Sequence, residues 1–159
     1  MIVTIIILII SFLLEAIIPC LFKNTILFFT LASMILLYGI NKNKKNYYIT
    51  IFIMGMLFDL LYKTSIFIDG FIYVFIMYLL KSLIDNKYNF IRMFLVYNLS
   101  ILIYTIITFL FSFYNNLNII DILLLVKDNL ILNYIFFIVL YLIIYFIYYF
   151  KRNITKKHS

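Results

Sequence analysis

Two aspartates ten residues apart, in the stretch GMLFDLLYKTSIFIDG (residues 55–70), are the first groups in this chain whose type and spacing could do chemistry. Paired carboxylates in an apolar setting can serve as the acid and base of an aspartyl protease. Inside a membrane that reaction wants an acid on each of two facing helices, one of them within a glycine-flanked motif, and FIDG does not supply it. Other catalytic sets are missing from the sequence as well. His158 is the single histidine and sits in the C-terminal tail. There is no HExxH, CxxC or Ser–His arrangement, and no glycine-rich phosphate loop. Cys20 is the single cysteine, so an internal disulfide is excluded. It follows Pro19 in IIPC, which lacks the small residue a lipoprotein cleavage site places before its cysteine. A free thiol in an apolar helix is the reading. We expect no enzyme, no cofactor and no metal centre.

The acids stand in a sequence that is 67% hydrophobic and 12% charged over 159 residues, with mean hydropathy +1.17. A soluble domain is about half apolar and about a quarter charged, and a core this small could not bury so much apolar surface. The expected class is an all-α, polytopic transmembrane bundle forming one domain. The N-terminus has no Lys or Arg ahead of its apolar run, which argues against a cleavable signal peptide. Abundant Ile, Phe, Tyr, Asn and Lys suggest a biased genomic composition, so a single Tyr or Asn carries little weight.

Six apolar runs can be marked, at 2–22, 25–40, 47–62, 66–80, 90–113 and 130–150, followed by a basic tail at 151–159. Lipid offers the backbone no hydrogen bonds, so runs of this length must be helices or a closed barrel. They lack strict alternation, and helix is the expectation. The first and the last two reach the roughly 20 residues that span hydrocarbon. The second to fourth are nearer 16, about 24 Å, and read as helical hairpins with flanking Lys and Tyr reaching the interface. Residues 115–129 are apolar but too short to cross. An interfacial helix over about 119–126 and a partly buried loop are both open readings.

Charge orients the six runs. One side would hold Lys42, Lys44, Lys45, Lys81, Lys87, Arg92, Lys151, Arg152, Lys156 and Lys157; the other would hold Lys23, Lys63 and Lys127. Ten against three is a positive-inside bias that puts both termini in the cytoplasm. The net charge of +7 then belongs mainly beside the anionic lipid of the inner leaflet. Its scatter over short loops argues against nucleic-acid binding.

Polar residues inside the runs mark candidate contact positions. Glu15 lies about two-thirds of the way along the first run and has no sequence-local base, so it should face the bundle interior or a partner helix. Pro19, one turn later, permits a kink. Gly55 and Asp59 share a face of the third run, where Gly allows close backbone approach. Lys63 follows Asp59 at i+4 and can pair with it, or Asp59 can act as a solvated interfacial cap. Asp69 and Gly70 fit a tight outer turn.

The stretches LLEAIIPCLF and GMLFDLLYKTSIFIDGFIYVFIMYLL resemble the MreD family of bacterial rod-shape-determining membrane proteins. The shared pattern is a polar residue shortly before a Pro in the first span, then small residues and an acid in the third, and a Gly that opens the fourth. The chain departs from it in having Gly55 alone where several glycines are common, and an acid at Glu15 where an amide is common. The resemblance implies a non-enzymatic, multi-pass component of the bacterial cytoplasmic membrane within the cell-elongation complex. Its implied partners are a bitopic MreC-like protein and, through it, MreB filaments and the RodA–transpeptidase pair. Glu15, Pro19, Gly55, Asp59 and Gly70 are then the expected partner-binding residues. An alternative is the substrate-binding membrane subunit of a small vitamin or metal transporter. Asn115, Asn116, Asn118 and Asp121 would line its outward pocket.

Overall fold

A computed structural model describes residues 2–21, 26–41, 44–62, 68–85, 89–114 and 119–157, with side chains for most of them. Its elements are six helices: α1 (Ile2–Leu21), α2 (Phe29–Tyr38), α3 (Lys44–Tyr62), α4 (Ile68–Asp85), α5 (Phe90–Tyr114) and α6 (Ile119–Lys157). Three of them, over Ile2–Pro19, Phe90–Leu110 and Lys127–Ile147, are long and apolar enough to cross a membrane.

The apolar surface sorts as it would in lipid. Each long helix buries one stripe and exposes large aliphatic side chains on the rest, as α1 does with Ile6, Ile10, Leu13 and Ile17. In water such a surface would be an aggregation site; against acyl chains it costs nothing. The helix ends observed for α3 and α4 lie beyond the marked runs at the Lys44–Lys45 and Lys81 ends. Lysine stems can lie along apolar surface with the ammonium at the interface, so these helices gain length without losing solvation.

The short helix α2 is the exception to this sorting. All ten of its residues are buried, and it touches each of the other five helices. At about 15 Å it is too short to cross hydrocarbon about 30 Å thick. The run expected from residue 25 is therefore not a continuous helix, because Ile26, Leu27 and Phe28 are non-helical. α1 and α2 are antiparallel: Thr4 meets Asn41 at 3.5 Å and Glu15 meets Thr30 at 2.7 Å. α2 thus begins level with Glu15, six residues or about 9 Å short of the end of α1.

Two other elements differ from the sequence reading. Residues 119–126 are neither a separate interfacial helix nor a loop; they are the first turns of α6, which runs unbroken for 39 residues. Nothing between Ile119 and Lys157 is Pro or Gly, so no residue stops the helix there. Asp69 and Gly70 do not form a tight turn but belong to the first turn of α4. Lys63 and Asn115, Asn116 and Asn118 lie outside the described residues, as do the side chains of Cys20 and Asp121 and the whole of His158.

Candidate functional site

The second helix of each of the first two hairpins begins beside a carboxylate carried by the first helix. Phe28, the residue before α2, has no side-chain oxygen with which to cap the free N–H groups of the first turn. Glu15 of α1 supplies that oxygen, its Oε2 accepting from the Thr30 N–H at 2.7 Å. In the second hairpin Asp59 of α3 does the same for α4, its Oδ2 accepting from the Asp69 N–H at 2.8 Å. Thr30 and Asp69 are both the second residue of their helix. Glu15 is 4% exposed and Asp59 and Asp69 are fully buried.

A buried carboxylate in lipid costs several kcal/mol unless it is compensated. Compensation here comes from helix geometry. A helix N-terminus carries roughly half a positive charge, and its unpaired N–H groups point outward. Two such ends converge on three acids. Tyr104 of α5 links them: its hydroxyl donates to Asp69 Oδ1 at 3.3 Å, and its ring packs edge-on against Phe28, centroids 5.6 Å apart. Tyr73 of α4 lies within electrostatic range of all three carboxylates. The Oδ1 atom of Asp59 is buried with no hydrogen-bond partner among the described residues.

The break at Ile26–Phe28 is held from the other side of the bundle. Asn133 of α6 accepts from the Phe28 N–H at 2.7 Å and donates to the Ile26 carbonyl at 3.2 Å and the Asn129 carbonyl at 3.0 Å. Tyr97 of α5 donates to the Phe28 carbonyl at 3.4 Å, and its ring stacks on Phe137 with centroids 4.8 Å apart. Non-helical backbone at membrane depth survives only where such groups replace water.

Gly55 and Gly70 bring the second hairpin together. A Cβ built on Gly55 would lie 2.4 Å from the Gly70 Cα and 2.5 Å from its nitrogen, so only hydrogen fits. At Gly70 a Cβ would meet the Phe52 carbonyl oxygen at 3.0 Å. That crossing delivers Asp59 to the start of α4.

Four of the five residues expected to contact a partner are thus inside this chain. Glu15, Gly55, Asp59 and Gly70 are buried in helix contacts of the bundle, and Pro19 alone is half-buried near the end of α1. The solvated-cap reading of Asp59 does not hold, since it caps a neighbouring helix in the interior. Asn133, Tyr97 and Tyr104 were passed over in the sequence because Asn and Tyr abound in it. Their signal was depth, since each lies within a long apolar run. Among the described residues, no group of three His, Cys, Asp or Glu side chains is placed to hold a metal ion.

No protein-family model, curated protein or solved structure matches the chain.

Proposed function

We propose that this chain is a non-enzymatic, multi-pass protein of the bacterial cytoplasmic membrane that works in the cell-elongation complex, as the resemblance to the MreD family implies. Six spans with both termini in the cytoplasm fit the charge bias of the loops, with the non-helical residues 26–28 and 39–41 completing the crossing that α2 is too short to make alone. A bitopic MreC-like protein is the direct partner, and MreB filaments and the RodA–transpeptidase pair are reached through the assembly.

One observation carries the reading. The two stretches on which the resemblance rests, far apart in sequence, supply equivalent parts of one buried construction, an acid on one helix capping the start of the next. Transporters often aim the N-terminus of a broken helix at an anionic substrate group. Here that position is filled by Glu15, which weighs against the transporter subunit wherever an anionic ligand is concerned. The polar groups hold a shape, and a chain built that way acts by presenting a fixed apolar surface to other helices. Glu15, Gly55, Asp59 and Gly70 then govern partner binding by setting the hairpin geometry rather than by touching the partner.

Co-isolation tests this. A tagged chain extracted in mild detergent should recover a single-pass MreC-like protein, and should lose it when that partner's transmembrane helix is replaced by polyleucine. Recovery that is indifferent to the partner's membrane helix would refute the proposed mode of binding.

A further inference from the structure

The outer face of the second hairpin carries a groove with a purely apolar lining and a basic end. Tyr48 of α3 and Phe71, Val74, Phe75 and Tyr78 of α4 line an open groove of about 350 Å³. The α4 residues recur at helical spacing and so form one stripe. Phe71, Phe75 and Tyr78 are 66%, 51% and 58% exposed. Lys81 closes one end, its Nζ 4.1 Å from the centre of the Tyr78 ring. Because Gly55 packs on Gly70 in an antiparallel pair, Lys45 lies level with Leu80 and Lys81, and it is exposed. Asp85, the last residue of α4, is the one acid of the two helices at that end, and Lys44 beside Lys45 leaves the end net positive in sequence.

We propose that this groove is a binding site for an anionic phospholipid, with an acyl chain along the aromatic stripe and the phosphate between Lys45 and Lys81. An open groove of this kind suits a chain that keeps one side in the bilayer. A partner helix is the poorer occupant. Helix pairs in membranes meet through small residues that let backbones approach, and this stripe has none, since Gly55 and Gly70 already face each other. The lysines supply the charge complement. On the proposed topology they sit at the inner leaflet, where anionic lipid is concentrated. The site itself depends on neither that topology nor the proposed function, so it can fail or hold independently of both.

The test is native mass spectrometry of the full chain in detergent with phosphatidylglycerol and phosphatidylcholine of identical acyl chains, added in equal amounts. The wild type should retain one phosphatidylglycerol in preference to phosphatidylcholine by roughly thirtyfold, as two interfacial lysines imply. Lys45→Gln with Lys81→Gln should abolish the preference, and the paired change to Arg should keep it. Val74→Trp should fill the groove and reduce retention of both lipids severalfold. Equal retention of the two lipids by the wild type, phosphatidylglycerol retention unaltered in the double Gln variant, or a lipid-free dimer joined through this face would each overturn the assignment.

Discussion

At Gly55 the packing leaves no room for a side chain, and the partner glycine is less confined. A Cβ at Gly55 would strike the Gly70 backbone at 2.4 Å, and backbone cannot move aside as a side-chain tip can. At Gly70 the nearest atoms, in Phe52, start at 3.0 Å. Gly55→Ala should therefore destabilise the bundle by about 1–3 kcal/mol, the usual range for overpacking, and Gly70→Ala by less. Thermal unfolding in detergent would measure both, and the reverse order would mean that the two helices do not cross at this pair. The same crossing explains why Asp59 was hard to read in isolation. Its place near the end of an apolar run suggested solvent, but the close approach of α3 and α4 seals it against the start of α4.

The short helix α2 and the residue before it depend on groups from four other helices, and Glu15 is the one whose role can be divided by substitution. Glu15→Gln keeps an acceptor for the Thr30 N–H but removes the charge at the helix N-terminus. Glu15→Leu removes both. The first change should cost about 0.3–2 kcal/mol from the lost dipole interaction, and the second more, because a buried N–H is left unpaired. If the Leu variant unfolds at the same temperature as the wild type, Glu15 does not cap α2. Helices were legible wherever hydrophobic length decided them, as in α1, α5 and the later part of α6. They were misread where a tertiary contact overrides local pattern. The run 25–40 carries no breaker near its start, and its break at Ile26–Phe28 is held by Asn133 and Tyr97, some 105 and 69 residues away, which satisfy the Phe28 backbone. No periodicity in a single run records such a partner. The convergence of Glu15, Asp59 and Asp69 was invisible for the same reason: the sequence gives each acid a depth but not a neighbour. The hairpin pairing itself was legible, since short runs joined by short loops have few other places to go.

At the scale of the whole molecule, charge and shape make separate predictions. Reporter fusions after Lys45, Asn89 and Ser159 should report cytoplasm and one near Asn116 should report the outside, since the proposed six spans would put ten of the thirteen basic residues on the first side. A cytoplasmic signal at Asn116 would remove the six-span arrangement. The larger claim is that a bundle whose buried Glu15 and Asp59 are turned on its own helix starts acts by holding other membrane proteins in place. Depletion of the chain in a rod-shaped host, followed by cell width together with uptake of small vitamins and metals, addresses that claim most directly. The account predicts rounded, widened cells with uptake intact. Cells that keep their rod shape but lose uptake of one small nutrient would contradict it.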